Sequence, residues 1–166
     1  MAETKYGKHL IEGPFITIDH YTGTSIVAHD GEYDADVSIG LHCLADTRFK
    51  AEFPHSHDFH ELLCFIGGNP LDITDFGAEI ELSLGEEGEV HVIRSTTVVS
   101  IPPGLVHCPL IVKRCDKPVS FLEISLTRKW PPMSEMLEDI PPDQRHKIQP
   151  ALLKKWRKKK RNHNGN

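Results

Sequence analysis

Residues 35–44 alternate, with Val37, Ile39, Leu41 and Cys43 on one face and Asp36, Ser38, Gly40 and His42 on the other. Successive side chains of a strand point to opposite faces, so this segment reads as a half-buried strand with His42 on its exposed, polar side. The same period recurs at 78–84, where Ile80, Leu82 and Leu84 alternate with Glu79, Glu81 and Ser83. Short β-branched runs at 15–19 and 25–29 flank Tyr21-Thr22-Gly23 and predict a hairpin. A continuous apolar run, Leu62 to Ile66, stops at Gly67-Gly68-Asn69-Pro70, and further strands are predicted at 89–93, 96–101, 109–112 and 119–126. Asp46 to Pro54 reads as a polar connection into a central strand that holds residues 54–61. Many short strands punctuated by Gly, Pro and Asp indicate an all-β sandwich or barrel.

The 166 residues suffice for one domain with a proper core and are few for two. Past Arg128 the character changes. Trp130-Pro131-Pro132 and Ile140-Pro141-Pro142 bracket a short acidic segment, and 150–160 could form a helix with Leu152, Leu153 and Trp156 on one side. The chain therefore divides into a β domain over 1–128 and a Pro-rich, basic, partly helical extension over 129–166.

Charge sharpens that division. The net charge of −5 conceals 12 basic against 24 acidic residues before position 154, a net −12, and a run of +7 over Lys154–Arg161. That run reads as solvated or folded onto the acidic body. Binding of nucleic acid or an anionic surface is the alternative, although no aromatic residue beyond Trp156 interleaves it. No apolar run approaches a membrane span, and the first residues lack the apolar core of a secretory signal. Cys43, Cys64, Cys108 and Cys115 have neither CxxC spacing nor the density of a disulfide scaffold, so they read as small packed side chains. A cytoplasmic protein is the expectation. There is no G-x-S-x-G elbow, no P-loop and no strand–GxGxxG–helix unit, which leaves nucleophilic-elbow and nucleotide chemistry without a marker.

Candidate chemistry concentrates in Pro54-His55-Ser56-His57-Asp58-Phe59-His60-Glu61. On a strand His55 and His57 share one face about 7 Å apart, and Glu61 has the same parity. Two imidazoles and a carboxylate suit a divalent transition metal. His60 has the opposite parity. Downstream, Ile101-Pro102-Pro103-Gly104 is a strand end and a tight turn that can present His107 toward the first three groups. His91, Arg94 and Glu123 are further titratable groups that read as rim or surface residues.

These two segments resemble the motifs of the cupin superfamily, G(X)5HXH(X)3–4E(X)6G and G(X)5PXG(X)2H(X)3N. His55, His57, Glu61 and Gly68 fit the first, and Pro102, Gly104 and His107 fit the second. Phe49 and Thr96 stand where the leading glycines would be, and Ile111 replaces the final asparagine. The resemblance is to small, single-domain, metal-binding, RmlC-like cupins, and it implies a double-stranded β-helix, or jelly roll, over roughly residues 13–127.

It further implies that His55, His57, Glu61 and His107 hold Fe, Mn, Ni or Zn with coordination positions left open. An open position lets a metal polarise a carbonyl, activate water or hold O₂. The expected function is a metal-dependent enzyme, a dioxygenase or an isomerase or lyase, acting on a small oxygen-rich carbonyl compound. Glu61 is then both a ligand and the candidate catalytic base. A non-catalytic metal- or ligand-binding sensor is the alternative, since the fold serves both uses. The alternating faces also suggest more apolar surface than one small barrel encloses, and a homodimer is expected.

Overall fold

Alternating side chains can bury one face only if a second layer covers it, and two antiparallel sheets meet that need. The computed structural model describes residues 5–19, 21–51 and 53–130. Within them the strands are β1 (Phe15–Thr17), β2 (Thr24–Ala28), β3 (Ser38–Leu44), β4 (Lys50–Ala51), β5 (Glu61–Gly67), β6 (Ala78–Leu84), β7 (Glu89–Ile93), β8 (Thr97–Ile101), β9 (His107–Cys115) and β10 (Val119–Ser125). One sheet runs β1-β2-β3-β10-β5-β8 and the other β4-β9-β6-β7. From β3 onward that interleaving is the jelly roll. Apart from Lys129 and Trp130, the expected Pro-rich and basic extension, with the helix expected over 150–160 and Lys154–Arg161, lies outside the described residues.

The core sits between the layers. Leu44, Leu63, Phe65, Val119 and Phe121 of the larger sheet pack with Ala78, Ile80, Leu82, Leu110 and Val112 of the smaller. Phe65 and Phe121 stack at 4.9 Å. Phe49, in the place of a motif glycine, joins this core against Tyr21 and Phe121. Among the described residues the sheets form an open sandwich rather than a closed barrel, because each has its own edge strands.

Two expectations are corrected. The β3 face holding Ser38, Gly40 and His42 points inward, and Leu41 is exposed. Apolar residues cover the outer face instead. Register aligns Ile26, Leu41, Leu122, Cys64 and Val98 in one row across it, and Ala28, Ile39, Ile124 and Leu62 in the next. Secondly, residues 54–60 are not a strand. The ladder begins at Glu61, and before it His55 makes only an isolated bridge to His107.

Candidate metal centre

The end of the sandwich where β5 and β9 begin, and where β8 and β10 finish, gathers the histidines. His55 and His107 exchange both backbone hydrogen bonds, at 3.0 and 2.9 Å. The Pro102–Leu105 turn sets up that pairing. Gly104 has φ +82°, a left-handed conformation that favours glycine, and its N–H donates to the His57 carbonyl at 2.8 Å. Further on, β9 bulges against β6, so that Leu82 faces Leu110 while Leu84 faces His107. Cys108, at φ +75°, absorbs the extra residue, and both His107 and Cys108 end up buried.

All three rings are held the same way. Nδ1 of His55 lies 3.0 Å from the Phe53 carbonyl, that of His57 2.8 Å from the Phe59 carbonyl, and that of His107 3.1 Å from the Leu105 carbonyl. A carbonyl can only accept, so each Nδ1 carries the proton and each neutral ring keeps its lone pair on Nε2. Glu61 Oε2 lies 3.3 Å from His57 Nε2 and 3.4 Å from His107 Nε2. Its other oxygen accepts from the buried Ser125 hydroxyl at 3.0 Å.

Two lone pairs facing a carboxylate oxygen call for a positive charge between them. This donor set therefore fits a divalent ion, with the ring tautomers and one carboxylate oxygen already fixed by outer partners. The donor atoms of His57, Glu61 and His107 lie within 4.8 Å of one another, and those of His55, His107 and Cys108 form a second such group. No group among the described residues spans all four expected ligands. His55 is nearest to His107, with ring centroids 4.3 Å apart, against 6.3 Å to His57. His60 is exposed and joins neither group.

Electrostatics favour the ligand forms. Burial, then the neighbouring His107, lowers the His55 imidazole to about 4, so it is neutral at pH 7. Burial alone would raise the Glu61 carboxyl, but a proton and its charge on the Nε2 atoms of His107 and His57, the place a bound cation would take, outweigh it and hold the group at about 2. Cys108 is pushed up to about 12 by burial and then by the charges of Glu123 and Glu61. A thiol so raised is a packed side chain and not an activated nucleophile.

Aromatic groups wall the site. His57 stacks on Phe59 at 4.0 Å, and Trp130 meets both rings edge-on at 5.9 and 5.3 Å. His29 stacks on Trp130 at 5.5 Å, and the His29 carbonyl accepts the Trp130 backbone N–H at 2.9 Å. Ser125 and Ser25, buried on the inner face, escape the sequence reading altogether. His42 and Glu123, candidates for a pocket mouth or the interior that read more readily as exposed or rim residues, also lie on that face, and His42 is 5 % exposed. The inward-facing Ser38-x-Gly40-x-His42 pattern is the available signal. His91 and Arg94 do lie on the surface, paired with Glu89 and Glu79.

No protein-family model and no curated protein matches the chain. Solved structures do. Peruvianin-I, a cysteine peptidase from Thevetia peruviana latex, is 14 % identical over 76 % of each chain, with a TM-score of 0.52. The polyketide cyclase RemF from Streptomyces resistomycificus is 15 % identical, covering 80 % of this chain and 82 % of its own, with a TM-score of 0.47. A cupin protein from Bacteroides fragilis is 16 % identical, covering 70 % of this chain and 86 % of its own, with a TM-score of 0.46. At such identities the likeness concerns fold alone. The strand order carries the fold, and the likeness to peruvianin-I is one of fold: among the described residues this chain is a double-stranded β-helix, or jelly roll.

Proposed function

We propose that the chain is a metal-dependent enzyme acting on a small oxygen-rich carbonyl compound, as an isomerase or lyase or as a dioxygenase. The observation that supports it most is the set of three Nδ1-anchored imidazoles, two of which, His57 and His107, turn Nε2 toward one buried carboxylate. His57, Glu61 and His107 would hold Fe, Mn, Ni or Zn, with His55 completing the set beside His107. When bound, such an ion supplies a Lewis acid for a substrate oxygen. The chain's own part is to fix the ring tautomers, hold one Glu61 oxygen through Ser125, and wall the site with Phe59 and Trp130. Glu61 serves as a ligand, and any role as a base depends on its release from two imidazoles.

The test is metal analysis of protein purified without air, then a screen of hydroxy-carbonyl compounds with and without O₂. Close to one transition-metal ion per chain is expected, with turnover independent of O₂ for the isomerase or lyase and O₂ uptake for the dioxygenase. Saturable binding without turnover would favour the sensor. A chain that retains no metal would end the proposal.

Four free cysteines fit a reducing compartment, and the cytoplasm is the proposed location. Among the described residues no helix is long and apolar enough to cross a membrane. The apolar rows on the outer face of the six-stranded sheet are the proposed homodimer surface, with Leu41 38 % and Val98 60 % exposed. A stable pair needs roughly 800 Å² from each partner, which a sheet face can supply. Light scattering at micromolar concentration should give a dimer for the full chain and a monomer for Leu41→Asp. A monomeric full chain would refute this. Nucleic acid or an anionic surface at Lys154–Arg161 remains the lesser proposal for partners.

A further inference from the structure

Beyond the histidine cluster, the same inner face carries a second polar group that the proposed metal site does not use. Register places Ser38, Ser125, Glu61 and Ile101 in the row at the site, then Gly40, Glu123 and Leu63, then His42, Phe121 and Phe65. Alternate residues of a strand lie about 7 Å apart, so Glu123 stands one row inward from Glu61. Gly40 leaves open the space beside it. A Cβ at that position would fall 2.7 Å from Glu123 Oε2 and 2.8 Å from His42 Nε2. The carboxylate crosses this gap to meet His42 Nε2 at 3.3 Å, and His42 Nδ1 meets the Ser25 hydroxyl at 2.9 Å.

An ionised carboxylate can only accept, so Nε2–H donates to Glu123, and Nδ1 of the neutral ring accepts from Ser25. Tyr21 fixes the ring by stacking 3.7 Å away at 7°. The rear of this chain is closed, with Ser25 1 % and His42 5 % exposed. Its front is open, because the Glu123 side chain is 29 % exposed. A carboxylate oriented from behind and accessible in front is arranged as a general base.

We propose that Glu123 is the acid–base residue for an enolizable carbonyl substrate, with His42 and Ser25 as its positioning residues. This rests on the metal-site reading above. Glu123 takes the proton from the carbon next to the carbonyl. The C–H electron pair becomes a C=C bond, and the carbonyl π pair moves onto oxygen, giving an enolate. Return of the proton from Glu123 to the same carbon restores the carbonyl compound. Where that carbon bears a hydroxyl, the hydroxyl proton passes to the enolate oxygen, and the proton from Glu123 then adds to the former carbonyl carbon, leaving the new carbonyl on the carbon that lost its hydrogen. No oxidant or reductant is consumed, so the reaction class is isomerisation or epimerisation.

The test uses the full chain loaded with Zn(II) in D₂O, with dihydroxyacetone and hydroxypyruvate as probes and NMR following hydrogen exchange at the carbon beside the carbonyl. Zinc content is measured in every variant. Glu123→Gln keeps the shape and a hydrogen-bonding partner for His42, so a purely structural role would leave exchange unchanged. Loss of the base should lower it about 100-fold or more at equal zinc content. Gly40→Ala, which places a methyl group between the carboxylate and the imidazole, should also slow exchange, and should shift the His42 ring ¹⁵N signals of the zinc-free protein. An undiminished rate in Glu123→Gln overturns the proposal, as does a zinc-bearing wild-type chain that exchanges neither probe. A wild-type chain that holds no zinc overturns the metal-site reading as well.

Discussion

His107→Ala is expected to leave a folded chain with most of its metal gone, and His60→Ala a folded chain with its metal retained. His107 belongs to both donor groups, His57–Glu61–His107 and His55–His107–Cys108, so its loss takes a ligand from each. It also leaves Glu61 with one imidazole where it had two. Loss of an outer-shell partner typically lowers metal affinity about 10–100-fold, and loss of a ligand should exceed that. The main-chain bridge between positions 55 and 107 uses backbone atoms only, so alanine keeps it and the turn at Gly104 still closes. His60 is exposed, and its described contact is a carbonyl that accepts from the Leu126 N–H. Metal per chain after dialysis, read beside circular dichroism, separates the two variants. An emptied His60→Ala with a loaded His107→Ala would mean that the proposed ligand set is wrong.

The fold was legible because strands announce themselves by period: most alternating or β-branched runs became strands within two residues of their expected bounds, while β3 begins three residues late, β9 runs three residues past its expected end and β4 lies in an expected connection. The inward face of β3 was not legible. Apolar residues were expected inside, but the inner face at that end is polar, and Leu41 lies in an apolar row on the outside. Alternation gives the two faces without saying which one is covered. The histidine pair was placed on a strand, yet His55 and His57 lie in a connection whose shape depends on a turn far downstream, through Gly104 and the His55–His107 bridge. Proximity of His57 and His107 to Glu61, and of His55 to His107, thus needed the folded register as well as the parity. Glu123 and His42 are 81 positions apart, and only the β3–β10 pairing over Gly40 brings them together. Nothing local marks such a pair.

Phe65→Ala should destabilise the chain more than His107→Ala, Glu123→Gln or Leu41→Asp, and it should unfold the chain without first emptying the site. Phe65 is 0 % exposed and stacks on Phe121 at 4.9 Å with an interplanar angle of 15°. Its neighbours across β10 and β8 are Phe121 and Thr97, so truncation opens a cavity in the middle of the sandwich that edge strands cannot collapse to fill. Removing such a ring costs roughly 3–5 kcal/mol, from lost transfer energy and the cavity together. That is a large part of the roughly 5–15 kcal/mol that a domain possesses. The site lies two rows away at Glu61, and its ring anchors are backbone carbonyls of other segments, so metal content of the surviving folded fraction should match wild type. Val90→Ala, at a side chain 56 % exposed on β7, is the control and should change stability by less than about 0.5 kcal/mol. Urea unfolding of the two variants measures the difference. A loss below about 1 kcal/mol in Phe65→Ala would mean that the layer between the sheets is less closely packed than these contacts indicate, since a close-packed site cannot shed a ring at so small a cost.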